Sequence, residues 1–352
     1  MKSICFQSVG EVATRAIADP VVEAEHEAIV RVSLAGLCGS DLHPFFGRES
    51  GLDAGTVMGH EFVGHIVEVG PSVKTLKVGD RVCSPFTTNC GSCFYCLSGI
   101  SSRCERGALF GWRSDDHGLH GGQAEYVKVP LADGTLVRIG DEIDDPTALL
   151  LGDNLTTGYF GAKLACDHTS AESDTFAVIG CGTVGLLAVM LLRQMGAKRV
   201  IAHDPNPARL AMAERFGAEC CGDASAFASH ILDRTSSRGA DAVLEFVGLP
   251  EAQRLAYEVI RPGGTMSVIG CHCTPHFAFS PAESYDKNLT YRTGRCPARS
   301  LMSELLETGW LGSLDLSWCV THRYSLDESV KAYDVFANRR DHCIKAAIDC
   351  ST

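Results

Sequence analysis

The sequence has no cluster of lysine and arginine, and 31 basic against 43 acidic residues leave a formal net charge of -12. Binding to a phosphate backbone depends on clustered cations that displace counterions, so nucleic acid is not expected as a partner. There is no internal repeat, low-complexity tract or long Pro/Ser linker, which argues against solenoids and tethered modules. The N-terminal stretch MKSICFQSVGEV lacks the uninterrupted apolar segment of a secretory signal, so a cytosolic address is expected. No membrane span is expected either. The most tempting stretch, Phe176 to Leu192, carries three glycines between Asp174 and Arg193, and its pattern fits a buried strand followed by a buried helix.

What the chain does have is length, apolar content and cysteine. Its 352 residues, 45% hydrophobic and 21% charged, suffice for a sizeable core and predict two domains. Seventeen cysteines without an export signal favour metal ligation or free thiols over a disulfide framework. Cys90, Cys93, Cys96 and Cys104 crowd into CGSCFYCLSGISSRC, a spacing that random placement would produce about 0.002 times per chain. Four thiolates closing a tetrahedron around one zinc make a structural site with no open position. Four surface thiols without metal would instead be an oxidation hazard.

Two textures divide the chain. Residues 1 to about 155 are rich in short β-like runs such as AIVRVSLAG, EFVGHIVEVG, GDRVCSP and QAEYVKVP, and predict a mostly β domain. From Asp174 strands and helices alternate: TFAVIG, LLAVMLLRQMG, RVIAHD, ARLAMAERFG, ADAVLEFVG and GGTMSVIG. That alternation predicts a doubly wound parallel sheet covered on both faces. Amphipathic stretches at SLMSELLETG and SLDESVKAYDVFANRR, then a strand-like IKAAID, close the chain.

Gly180, Gly182 and Gly185 in IGCGTVG sit between a predicted strand and a predicted helix. Glycine content alone gives about 0.4 such matches per chain, so context carries the reading. The first glycine permits the tight turn, the second lets backbone approach a pyrophosphate, and the third lets helix and strand pack closely. Asp204 ends the next predicted strand, where a carboxylate would take the ribose hydroxyls of NAD and repel a 2'-phosphate. Arg209 follows within reach and leaves room for residual NADP use.

The N-terminal half offers Cys38, Ser40, Asp41 and His43 in GLCGSDLH, with His60 and Glu61 in GHEFVGHIVEVG. A thiolate and an imidazole are suitable zinc ligands, and Asp41 is suited to orient an imidazole through its second nitrogen. Singly, a cysteine or histidine of this kind is most often core packing. In combination, Cys-x-Ser-Asp-x-His at 38 to 43, Gly-His-Glu-x-x-Gly at 59 to 64, Gly-Asp-Arg-Val at 79 to 82, the four-cysteine lobe and the GxGxxG with Asp204 resemble zinc-dependent alcohol dehydrogenases of the medium-chain dehydrogenase/reductase superfamily. GDNLTTGY at 152 to 159 and GRCPARS at 294 to 300 look most like the formaldehyde-dehydrogenase-like branch.

The resemblance implies a GroES-like catalytic domain over 1–155 and 296–352, with a structural zinc lobe at about 88–106, and a Rossmann NAD-binding domain over 156–295. It implies two zinc ions per chain, NAD, a small alcohol or aldehyde substrate, and assembly as a homodimer or homotetramer. Cys38 and His60 become catalytic-zinc ligands, Asp153 takes the third protein-ligand position, and Glu61 is a nearby carboxylate that enters the coordination shell transiently. The zinc acts as a Lewis acid on the alcohol oxygen. Hydride goes to the nicotinamide, and the proton leaves through Ser40, the nicotinamide ribose and His43. Thr157 matches a position against the nicotinamide and Phe86 one that lines the substrate pocket. Gly39 departs from the pattern, standing where several relatives carry an arginine that grips the pyrophosphate, with Arg295 as a candidate substitute. An Asp ahead of NLTTGYFGAKLA also reads as a helix N-cap, so Asp153 has two readings. As a ligand, its carboxylate and the Cys38 thiolate would together neutralise Zn2+.

Three alternatives remain at this stage: a polyol dehydrogenase of the sorbitol or threonine type, a non-catalytic zinc-stapled member, and a cysteine redox sensor. The second conflicts with the presence of Cys38, Ser40, His43 and His60. The third rests on Cys220 with Cys221 and Cys271 with Cys273, but neighbouring cysteines rarely form disulfides and alternate strand residues face opposite sides.

Overall fold

The computed structural model describes residues 1–167, 169 and 174–351. It divides into two compact units, Met1–Thr156 with the segment from Pro297 onward, and Thr157–Cys296.

The first unit is built around the strand Ala28–Leu37. Its AIVRVSLAGL sequence is rich in β-branched residues, and it is buried along nearly all its length, as a strand covered on both faces must be. It pairs antiparallel with Phe62–Val69 on one side and with Lys345–Asp349 on the other. The seven-stranded sheet runs Val320–Ser325, Lys345–Asp349, Ala28–Leu37, Phe62–Val69, Arg81–Cys83, Val137–Arg138, with Tyr126–Val129 also pairing on the central strand. Val30, Val32, Phe62, Ile66, Phe110, Tyr333 and Ile348 belong to its core. Phe62 and Phe110 meet edge to face at 5.1 Å, a contact worth about 0.5–1.5 kcal/mol beyond the area it buries.

Register then fixes the site. Ala346 lies opposite Leu37 and Phe62 opposite Ala35, so the ends of three strands meet where Cys38, His60, Glu61 and Lys345 leave or enter the sheet. The fourth contributor is the helix Asp145–Gly152. Asp144 caps it by accepting the Thr147 N–H at 2.9 Å, a proline stands in its first turn, and Leu149, Leu150 and Leu151 are buried. The helix stops at Asp153, whose φ of -145° and ψ of -73° are not helical, and Asn154–Cys166 starts a new one.

The second unit holds the expected parallel sheet, ordered Glu219–Cys221, Arg199–His203, Thr175–Ile179, Ala240–Glu245, Ile260–Val268, Thr290–Thr293. Strand order reverses at Thr175–Ile179, the place where open α/β sheets take ligands beyond their carboxyl ends. The helix Thr183–Gln194 follows at once and buries Leu186, Leu187, Val189, Leu191 and Leu192, each contributing about 1.5–3 kcal/mol. The two edge strands, Glu219–Cys221 and Thr290–Thr293, extend the sheet beyond the six segments named from the sequence. Among the described residues no helix is long and apolar enough to cross a membrane.

The helix that ends at Asp153 is moored at its start, because the Asp145 carboxylate accepts from Ser33 Oγ at 2.7 Å and pairs with the Arg81 guanidinium. Partial burial pushes the Asp145 carboxyl up, but those two partners outweigh it and hold it below its ordinary value. The pair therefore adds stability above the ordinary aspartate pKa and loses it as pH falls through the depressed one. Asp145→Asn is expected to cost about 1–2 kcal/mol in neutral solution. The difference from the parent should vanish in acid, read by denaturant unfolding across a pH series.

Candidate active site

The ligating atoms of Cys38, His60, Glu61 and Asp153 all lie within 4.8 Å of one another. Cys38 Sγ is 3.4 Å from Asp153 Oδ2, and His60 Nε2 is 3.5 Å from the same oxygen. Asp41 turns His60 toward them. Its Oδ1 lies 3.1 Å from His60 Nδ1, while its Oδ2 accepts the Cys38 backbone N–H at 2.9 Å. One carboxylate thus fixes the imidazole's rotation and leaves Nε2 toward the thiol and Asp153. Ser40 Oγ is 3.2 Å from both Cys38 Sγ and His60 Nε2. Phe86 is buried and presents its ring edge-on to His60 at 6.4 Å. His43 sits half-buried on the short helix Leu42–Phe45, where burial pushes its imidazolium down. Thr157 lies one turn past Asp153 on Asn154–Cys166 and is the first residue of the second unit.

The electrostatics of this cluster ask for a cation. Burial and the nearby Asp153 and Glu61 carboxylates push the Cys38 thiol up. Burial would also raise Asp153, but His60 holds it well below the usual carboxylate range. Burial would lower His60, yet Asp41 and Asp153 hold it well above the usual imidazole value. Asp153 therefore pairs with a protonated imidazole while the Cys38 sulfur keeps its proton. A thiolate, a neutral imidazole and a carboxylate around a divalent ion satisfy the same atoms without those protons.

The second cluster is Cys90, Cys93, Cys96 and Cys104, whose sulfurs also lie within 4.8 Å of one another. Backbone N–H groups point at them: Cys90 donates to Cys104 Sγ at 3.2 Å and Cys93 to Cys90 Sγ at 3.3 Å. Against slight burial, the Ser92 and Cys93 N–H groups and Arg106 draw Cys90 down to about 5, whereas burial pushes Cys96 up to about 12. Backbone N–H groups of Cys96 and Glu105 lower Cys93 as well, and all four sulfurs ionise together only around a metal. Among the described residues no cysteine is in a disulfide.

In the second unit the glycine turn has a shape that the protein's own packing does not explain. A Cβ on Gly185 would lie 1.8 Å from Gly180 O, so that glycine serves the close contact of helix and strand. Gly182 has an ordinary φ of -72° and open space where its Cβ would be. Neither strain nor packing calls for glycine there, and a ligand approaching the backbone does. Asp204 is almost fully buried and ties this turn to the neighbouring strand, accepting the Cys181 N–H at 2.9 Å and the Asn206 N–H at 2.8 Å, with Arg209 Nη1 at 3.7 Å.

Two residues that carry no motif also reach the first cluster. Lys345 is 1% exposed and donates to both oxygens of Glu61, at 2.6 Å to Oε1. Asn154 Nδ2 donates to Glu61 Oε1 at 2.8 Å and lies 3.2 Å from Asp153 Oδ2. The only sequence signal for Lys345 is a lone lysine opening the apolar strand KAAID, and Asn154 stands within GDNLTTGY with nothing to mark it apart.

Comparison with known proteins agrees with this geometry. The profile of the alcohol dehydrogenase GroES-like domain matches residues 24–141, and that of zinc-binding dehydrogenases matches residues 183–308. The chain is 39% identical over 342 residues to zinc-type alcohol dehydrogenase B of Aspergillus flavus, covering 96% of this chain and 78% of that protein. Among solved structures it resembles alcohol dehydrogenase TADH from Thermus sp. ATN1, with a TM-score of 0.91, 33% identity and 99% of each chain covered. Zinc-dependent alcohol dehydrogenase 2 from Streptococcus pneumonia gives a TM-score of 0.89 at 32% identity, covering 100% of this chain and 99% of that one.

If both clusters hold zinc, the purified protein carries two ions per chain, and Cys104→Ser retains one while its Tm falls by at least about 5 °C, since metal binding at a structural site is also folding free energy. Elemental analysis with a thermal melt checks this. One zinc per chain in a fully active parent preparation would contradict it.

Proposed function

The chain belongs to the zinc-dependent alcohol dehydrogenases, and from that premise we propose that it oxidises an alcohol or an aldehyde adduct with NAD at a zinc held by Cys38, His60 and Asp153. The observation that carries the proposal is the convergence of Cys38 Sγ, His60 Nε2 and the Asp153 carboxylate on one another. When bound, zinc supplies Lewis acidity toward the alcohol oxygen, and NAD accepts the hydride.

The chain's own groups do the rest. Asp41 keeps His60 in one orientation, and with zinc bound Nε2 would give up its proton to ligate the metal. Ser40 Oγ, next to both Cys38 and His60, takes the substrate's hydroxyl proton, and His43 receives it further along, toward solvent. Phe86 packs beside His60 and excludes water from that side of the reacting carbon. In the second unit the Gly180 to Gly185 turn receives the pyrophosphate, and Asp204 and Arg209 face the adenosine ribose. The catalytic domain accordingly comprises 1–155 and 296–352, the dinucleotide-binding domain 156–295, and a cytosolic homodimer or homotetramer is the expected assembly.

Asp153→Asn tests the ligand assignment. Zinc in this site should drop and kcat should fall by at least about 100-fold, the upper range for disturbing a metal site. Retained zinc with near-normal kcat would reduce Asp153 to a residue between two helices and overturn the assignment.

Cofactor choice is a separate test. NAD should give the larger kcat/KM, and Asp204→Gly should narrow its advantage over NADP. Because Asp204 also holds the Cys181 and Asn206 N–H groups, the variant should bind both cofactors less tightly. Equal use of NADP by the parent enzyme would count against the reading. NADH appearance across primary, secondary, polyol and thiol-adduct alcohols, including formaldehyde with and without glutathione, identifies the substrate class.

A further inference from the structure

Cys271 and Cys273 stand one residue apart, and strand alternation would send their side chains to opposite faces. The structure places them otherwise. The strand Ile260–Val268 has ended before they are reached, and their sulfurs lie within 4.8 Å of each other. Both residues are exposed, so packing does not account for thiols here. Cys220 and Cys221 make the contrast. They stand on the strand Glu219–Cys221, where Cys220 Sγ turns to Leu210 O at 3.3 Å and Cys221 packs against the apolar core.

The loop that carries the pair is anchored at the carboxyl edge of the parallel sheet. Between the two cysteines, His272 Nε2 lies 2.9 Å from Glu245 Oε2, and the other oxygen of that fully buried carboxylate accepts the Val247 and Gly248 N–H groups at 2.6 and 2.7 Å. Glu245 thus clamps the loop after Ala240–Glu245 to the loop after Ile260–Val268. The approach is close. A Cβ on Gly248 would lie 2.5 Å from Cys271 O, and one on Gly180 would lie 2.6 Å from Val247 Cγ2. A shift of the Cys271 backbone therefore reaches the glycine turn through Gly248 and Val247, because packed groups transmit strain.

Bringing two sulfurs to about 2.05 Å with one residue between them bends the backbone at His272, and a strained, exposed disulfide is of the labile kind. Resting on the dinucleotide reading above, we propose that Cys271 and Cys273 form a reversible disulfide that displaces their loop against the glycine turn and so weakens dinucleotide binding. With a peroxide as oxidant, one thiol attacks the O–O bond, becomes a sulfenic acid and releases water; the second thiol attacks that sulfur and releases another water. The two thiols lose two protons and two electrons, and the peroxide takes them up as two molecules of water. A dithiol reductant restores the pair.

The test treats the full chain with hydrogen peroxide, maps its peptides by mass, and titrates NADH by fluorescence before and after. The peptide carrying Cys271 and Cys273 should lose two hydrogens, the Kd for NADH should rise about 10-fold, and dithiothreitol should reverse both changes. Cys271→Ser and Cys273→Ser should each keep the Kd of the reduced parent and lose the response to peroxide. A response that persists in both single variants, a peptide that gains oxygen instead of losing hydrogen, or a disulfide that leaves the Kd unchanged overturns the proposal. Failure of the underlying dinucleotide reading looks different: the reduced parent would then leave NADH fluorescence unaltered whatever the state of the two sulfurs.

Discussion

Of the thiol, imidazole and two carboxylates held within 4.8 Å of one another, the two carboxylates repel each other where water is scarce, and His60, Glu61 and Asp153 are all nearly shut off from solvent. The rest of the first unit answers to that crowding. The sheet brings strand ends together so that each group comes from a different segment. Asp41 occupies one nitrogen of the imidazole, Lys345 neutralises one carboxylate, and the helix from Asp145 to Gly152 sets down the other at its broken end. What is left is one thiol, one imidazole nitrogen and one carboxylate facing each other, a donor set for a divalent ion such as zinc. The apolar core around Val30, Phe62 and Ile348 is the rigid frame that makes this electrostatic arrangement hold still.

The second unit solves a milder problem with other means. Its parallel sheet needs no charge to be stable, and its buried apolar strands and helices are self-sufficient. At the carboxyl edge Asp204 is bound to the backbone of the glycine turn on one side and of the following loop on the other. That carboxylate has a structural task whether or not a nucleotide is present.

Most of the fold was legible in the sequence because periodicity and turn residues are local. The runs AIVRVSLAG, TFAVIG and RVIAHD are strands, and the apolar LLAVMLLRQ stretch is the helix after the glycine turn. The four-cysteine lobe could be read because its spacing lies within one short segment, and the structure brings those sulfurs together. Asp153 stood beside a helix start in the sequence, and only its approach to Cys38 and His60 sets it apart from a cap. Lys345 was not legible at all. It meets Glu61 across 284 positions of chain, and nothing in either neighbourhood encodes the strand register that joins them. Asn154 was equally silent, since its role depends on the two carboxylates it bridges and not on its own surroundings.

The central strand draws its partner on one side from the far end of the polypeptide, and this gives the site a history as well as a shape. During synthesis Cys38, His60 and Asp153 leave the ribosome well before Lys345, and the first unit cannot close until the segment from Pro297 has been made and has docked beside Leu37. Before that moment Glu61 has no ammonium facing it, because Lys345 lies on the last strand to be made. The frame of the first unit is therefore complete only once both ends of the polypeptide have been made, so the order of synthesis is written into when the cluster can form.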